Sequence, residues 1–114
     1  MALQRHGSVI ELAPEKIDEY KELHAAVWPD VLKLIKEANI QNYSIYLREI
    51  VVGQFFLFSY FEYVGSDFEG DMATMAGDPT TKRWWDCCMP CQKVIETSKE
   101  GEWWSGMEEV FHLD

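Results

Sequence analysis

The sequence predicts an α+β fold in the order β-α-β-β-α-β, and three observations carry that prediction. An apolar period of 3.6 residues runs from Ile17 and Tyr20 through Val31, Leu34 and Ile35 to Ala38. Alternating apolar positions between turn residues mark strands at Asn42 to Leu47 and Gln54 to Tyr63. Glycine, proline and asparagine punctuate these segments, with no repeat or low-complexity linker between them. At 114 residues, 47% hydrophobic and 14% aromatic, the chain suits one domain spanning 1–114 around one core.

Each element has a local reason. Ser8 to Leu12 is a short apolar run that stops at Ala13-Pro14 and reads as the first strand. Pro14 suits the first helical position, where its missing N–H costs nothing, and Glu15 and Asp18 suit the positive end of the helix dipole. Asn39 is a natural left-handed stop. Pro29 falls inside the periodic stretch, where its ring would clash with the Ala25 carbonyl at a cost of about 3 kcal/mol in a continuous helix. Two arrangements satisfy it: a kink that turns Trp28 and His24 toward a cavity, or two helices joined at the Trp28-Pro29 step. Ile50 to Gly53 makes a turn into the Gln54 to Tyr63 strand.

That strand is apolar on both faces, with Phe55, Leu57, Phe61 and Tyr63 on one and Phe56, Phe58 and Tyr60 on the other. A sheet apolar on both sides needs cover on both. One helical layer covers one side, so a second subunit, and hence a homodimer, is expected for the other. Gly65 to Gly77 is polar and partly helical. Thr80 or Thr81 could cap a helix running through Trp84, Trp85 and Cys88 toward Val94-Ile95. Gly101 to Gly106 reads as a loop carrying Trp103 and Trp104, whose role the sequence leaves open, and Glu109 to Leu113 as a final strand. This succession is the ferredoxin-like arrangement, with two helices backing one sheet face.

Charge and cysteine usage narrow the function. A formal net charge of −10 argues against nucleic acid and against an anionic membrane surface, both of which select basic proteins. The start, Met1 to Gly7, is polar and carries no secretory signal. The most apolar run, Ile50 to Phe61, is interrupted by Gly53-Gln54 and falls short of the ~20 residues that a membrane helix needs. A cytoplasmic protein is expected. Cys87, Cys88 and Cys91 are odd in number and clustered, which is no disulfide framework. Cys88-Met-Pro-Cys91 has the C-x-x-C spacing of a redox site but sits within or after a helix rather than at its start. No suitably spaced fourth ligand completes a zinc site, so no metal and no cofactor are expected and the thiols read as buried and free.

Chemistry concentrates in Tyr20-Lys-Glu-Leu-His24-Ala-Ala-Val-Trp28-Pro29, a phenol, an imidazole and an indole at four-residue steps along one side of a helix. With Arg83-Trp84-Trp85-Asp86 farther on, the chain owns stacking surface and one group that titrates near neutrality, the needs of a small-sugar site. Spacing alone favours a packed core role for His24. Trp84 and Trp85, about 100° apart on a helix, likewise read first as core. His6 and His112 receive no role.

Tyr20-x-x-x-His24-x-x-x-Trp28-Pro29, Asn42-Tyr43-x-Ile45-Tyr46-Leu47, Arg83-Trp84-Trp85 and Glu109-Val110-Phe111, in that order, resemble the L-rhamnose mutarotase family from Arg5 to Leu113. The resemblance implies a ferredoxin-like domain whose sheets pair into a dimeric α/β barrel. It implies an isomerase that interconverts the α and β anomers of a free 6-deoxy sugar. It also implies His24 as the proton donor, Tyr20 and Tyr43 as sugar contacts, and Trp84 and Trp85 as the paired tryptophans. Histidine fits because it gives and takes protons near neutrality, and ring opening needs neither metal nor redox step. Asp30, Asp86 and Glu109 are candidates for a complementary base. The Asp-Cys-Cys-Met-Pro-Cys stretch after Trp85, the turn Glu49 to Gly53 with no charged loop, Trp103-Trp104 and His112 depart from the bacterial pattern and keep L-fucose or another 6-deoxy or neutral sugar open as substrate. Two other classes remain open on this fold, a haem-degrading or monooxygenase-type enzyme with a helix histidine on iron, and a non-catalytic binding module.

Overall fold

The computed structural model describes residues 3–114. Strand β1 (Gln4–Leu12) leads through a 3₁₀ turn (Pro14–Lys16) into α1 (Ile17–Ala25) and α2 (Pro29–Glu37). Strands β2 (Ile40–Val51) and β3 (Gln54–Tyr63) form a long hairpin, followed by α3 (Phe68–Gly77) and α4 (Pro79–Cys88). A second 3₁₀ turn (Met89–Cys91) precedes the short strands β4 (Gln92–Lys93) and β5 (Ser105–Met107). The sheet is antiparallel in the order β2-β3-β1-β4, with β5 also pairing with β1, and the succession follows the expected β-α-β-β-α-β order. Among the described residues no helix is long and apolar enough to cross a membrane.

Pro29 separates two helices. It occupies the first turn of α2, where its missing N–H is harmless, and Ala26 to Trp28 form the joint. Asn39 ends α2 in the left-handed region with φ 65°, as its short polar side chain allows. The cap of α4 differs from expectation. Asp78, not Thr80 or Thr81, accepts from the Thr80 N–H at 2.8 Å, with Pro79 in the first turn. A carboxylate there also meets the positive end of the helix. Likewise, Asp67 caps α3 by accepting from Gly70 N–H.

The C-terminal third departs most. The helix expected to reach Val94-Ile95 stops at Cys88, and Pro90 helps end it in the 3₁₀ turn. Glu109 to Leu113 is no strand; the last pairing is at Ser105–Met107 against Gly7, Ser8 and Val9. The edge of β1 opposite β3 is thus shared by two short strands, and the loop between them carries Trp103 and Trp104. The tail is tied back by Arg5, whose Nε and Nη2 donate to the two Glu109 carboxylate oxygens at 2.6 and 3.0 Å.

Helices and sheet meet on one face. Ile10, Leu12 and Leu57 from the sheet and Tyr20, Val31, Trp84 and Cys88 from the helices form the buried cluster, with Ile45, Leu47 and Phe55 packed against it. Register makes this possible: Ile10 lies opposite Leu57, and Leu57 opposite Leu47. Strand β2 reaches this face at both Ile40 and Ile45 only because of a bulge. Three steps on β2, Gln41 to Ser44, match two on β3, Glu62 to Tyr60, with Asn42 at φ 51°. Ile40 and Ile45 therefore both turn to the helices although strict alternation would oppose them. At the same end the Tyr63 hydroxyl and Asn39 Nδ2 both donate to Asp71 Oδ2, at 2.5 and 2.9 Å, and Asp67 N–H donates to the Tyr63 oxygen. These bonds hold the Asp71 carboxyl below its ordinary pKa and lock α3 to the sheet.

Candidate active site

Between the helices and the inner sheet face lies a cavity of about 950 Å³. Tyr20, His24, Tyr43, Trp84 and Trp85, brought from three separate elements, all line it.

Helix α1 supplies the imidazole. The His24 ring stacks on Tyr20 with centroids 4.0 Å apart and 24° between planes, the contact that four-residue spacing on a helix permits. Trp84 meets the same imidazole edge-on at 5.3 Å and meets Trp28 at 5.2 Å. Trp28 itself packs against the core rather than lining the cavity. His24 Nδ1 lies 2.9 Å from the Tyr20 carbonyl oxygen. A carbonyl only accepts, so Nδ1 carries the hydrogen and the neutral ring keeps Nε2 as an open base. Burial pushes the His24 pKa down, with a smaller opposing push from the carbonyl. The ring therefore stays neutral at neutral pH.

The aromatic walls divide their labour. Trp84 is 7% exposed and belongs to the core as well as to the cavity, whereas Trp85, next to it on α4, is 37% exposed. Tyr43 stands within the bulge of β2, tilted against Phe61 at 5.5 Å, and desolvation raises its phenol pKa. Burial raises the Tyr20 phenol strongly, so both phenols remain protonated donors. Cys88 also lines the cavity, its thiol pushed by burial up to about 12 and hence protonated. Cys87, Cys88 and Cys91 are all free, and they follow a helix rather than opening one.

The carboxylates proposed as a complementary base are elsewhere. Asp30 and Asp86 are exposed and away from the cavity, and Glu109 is engaged by Arg5. Among the described residues no aspartate or glutamate lines the cavity; its titratable groups are Tyr20, His24, Tyr43, Cys88, Lys33 and Lys36. Nor do the described residues gather three His, Cys, Asp or Glu into a metal-binding group. His6 is stacked between Phe61 and Phe68 at 4.9 and 4.5 Å, and His112 pairs with Asp114 on the tail. Trp103, Trp104, Gln92 and Met89 join the lining unannounced. The tryptophan pair was visible as loop aromatics; nothing near Gln92 in sequence marks it.

Residues 5–113 match the family model described as L-rhamnose mutarotase. An L-rhamnose mutarotase of Lactiplantibacillus plantarum is 31% identical over 96% of this chain and 98% of its own length. That of Oceanobacillus iheyensis is 28% identical over 98% of this chain and 100% of its own. The crystal structure of an L-rhamnose mutarotase from Formosa agariphila superimposes with a TM-score of 0.71 at 25% identity, covering 97% of this chain and 99% of that one.

Proposed function

The chain belongs to the L-rhamnose mutarotase family, and from that premise we propose that it is an isomerase that interconverts the α and β anomers of free L-rhamnose through His24. The observation that carries the role of His24 is its fixed tautomer, with Nδ1 tied to the Tyr20 carbonyl and Nε2 left as a base in an aromatic cavity.

Nε2 removes the proton from the anomeric hydroxyl. Electrons from that oxygen form the aldehyde C=O, the bond from C1 to the ring oxygen breaks, and the imidazolium returns the proton to the ring oxygen. Both oxygens sit on the same carbon, so one nitrogen can serve both without a second acid/base group. That agrees with a cavity whose described lining holds no carboxylate. Rotation about C1–C2 presents the other aldehyde face, and the steps run in reverse to close the opposite anomer. Trp84 and Trp85 offer planes for the C–H face and methyl group of the sugar, and Tyr20 and Tyr43 offer hydroxyls to its polar edge.

Saturation-difference proton NMR on equilibrated sugars tests this reading. Magnetisation should pass between the anomers of L-rhamnose faster than between those of L-fucose or another neutral sugar. The opposite ranking would reassign the substrate, and no exchange with any sugar would overturn the activity.

The assembly we propose is a homodimer through the outer sheet face. Tyr46 is 65% exposed there, and the tail adds Val110, Phe111 and Leu113 at 88%, 80% and 79%. Apolar surface on this scale is seldom left to water. A well-folded monomer in light scattering at micromolar concentration would remove the dimer. Work in the cytoplasm suits three reduced thiols.

A further inference from the structure

Gln92 lies on β4 opposite Leu12, 8% exposed, between two polar groups that the proton shuttle does not use. The Trp103 indole Nε1–H donates to Gln92 Oε1 at 2.7 Å, and Gln92 Nε2 donates to the Tyr20 hydroxyl oxygen at 3.3 Å. Chemistry fixes the direction of this chain. An indole N–H can only donate, so the amide oxygen must face Trp103 and the amide NH₂ must face Tyr20. The Tyr20 oxygen thus receives a hydrogen, and its own hydrogen is left to donate. Among the described residues nothing accepts it, and Tyr20 lines the cavity.

We propose that Gln92, oriented by Trp103, is a positioning residue that holds Tyr20 as a hydrogen-bond donor to an oxygen of the bound sugar. The inference rests on the sugar-isomerase reading above and assigns two residues of the cavity lining a role through Tyr20. Burial supports it by keeping the phenol protonated throughout the neutral range.

Gln92→Glu is the sharpest test. It keeps the side-chain length and the acceptor for Trp103, but an ionised carboxylate accepts on both oxygens and draws the Tyr20 hydrogen away from the sugar. kcat/KM from NMR exchange should fall roughly 10- to 100-fold. The loss should deepen as pH rises and the carboxylate ionises, a trend that altered packing would not produce. In a Tyr20→Phe background the same change should cost nothing more, because its target is gone. A wild-type kcat/KM in Gln92→Glu, a loss independent of pH, or additive losses in the double variant would overturn the proposal. If Gln92→Glu does not fold, Trp103→Phe keeps the ring, frees the amide to turn over, and should give a smaller loss that likewise vanishes in Tyr20→Phe; additivity there is equally fatal. Tryptophan-fluorescence titration with L-rhamnose separates the two readings. Binding without exchange by the wild type defeats the isomerase reading alone, and the donor role is then judged by whether Gln92→Glu weakens binding more at high pH. No binding by the wild type defeats both.

Discussion

Along Gln54–Tyr63 the two faces carry nearly the same aromatic content and meet opposite fates. The inner face is closed by α1, α2 and α4, with Leu57 at 2% exposure and a cavity beside it. On the outer face Phe56, Phe58 and Tyr60 remain half-buried, and none joins the core cluster. Composition is therefore a poor guide to what a face does. The inner face acquires chemistry because α1 and α4 bring a neutral imidazole, a phenol and two indoles over it, and β2 adds the second phenol, Tyr43. The outer face has Arg48, Glu62 and Arg5 among its aromatics by the same alternation, a mixture suited to contact with another protein surface.

The first way to break this contrast is His24→Ala. Exchange should fall by about two to four orders of magnitude, the usual worth of a positioned acid/base group, while circular dichroism stays native. A wild-type exchange rate would move the proton transfer to Tyr20 or solvent. The second is a pair of truncations at neighbouring positions. Leu57→Ala should cost about 2–5 kcal/mol in urea unfolding whatever the protein concentration. Phe58→Ala should act mainly on self-association, so that its cost shrinks once the subunits are diluted apart. Equal, concentration-independent losses would show that the two faces are alike after all.

Within the inner face, Trp85→Ala should weaken sugar binding by about 1–3 kcal/mol, the range for stacking on an aromatic plane, with little loss of fold. Trp84→Ala should instead lower stability by about 3–5 kcal/mol, because that ring is core as well as wall. A reversal of these two outcomes, read by calorimetry and thermal melting, would exchange their assignments.

The smallest effect concerns pH. Burial lowers the pKa of His24 and of His6 relative to the unfolded chain, so the folded state holds fewer protons on acidification. Their contribution to stability is complete above the ordinary histidine range and is lost as pH falls through the lowered values. Exchange, which needs neutral His24, should be flat above that range and drop below it. An exchange rate that rises on acidification would demand a cationic imidazole as the starting form.

How much of this was legible follows from where the determining forces lie. Asn39, Pro14 and the doubly apolar strand were readable because backbone preference and alternation act within a few residues. Pro29 left two arrangements, and only packing of α2 against α4 and β2 decides between them. Thr80 and Thr81 were plausible caps, but Asp78 stands one residue before Pro79 and supplies a charge as well as an acceptor. The strands β4 and β5, two and three residues long, carry no pattern of their own and exist through pairing with β1. Glu109 to Leu113 had the pattern but finds no pairing partner among the described residues. His24, Tyr20, Tyr43, Trp84 and Trp85 were named through family motifs, and the geometry now supports their meeting in one cavity. Gln92 could not be, since its two partners are distant in sequence and its residue type is common in any surface loop.

The bulge at Asn42 puts Ile40 and Gln41 out of phase with the stretch of β2 from Ser44 to Glu49. Losing one residue there would act as a frameshift in space: Ile40 and Tyr43 could no longer both address the helices, and one end of the strand would present its inward residues to the outside. The hairpin tip is different. Val52 is 95% exposed and Gly53 turns at φ 81°, so length can change there without reversing either strand. Insertions and deletions in descendants of this chain should therefore collect at the tip, while the residue count between Ile40 and Ile45 is held constant by the cavity that it aims at.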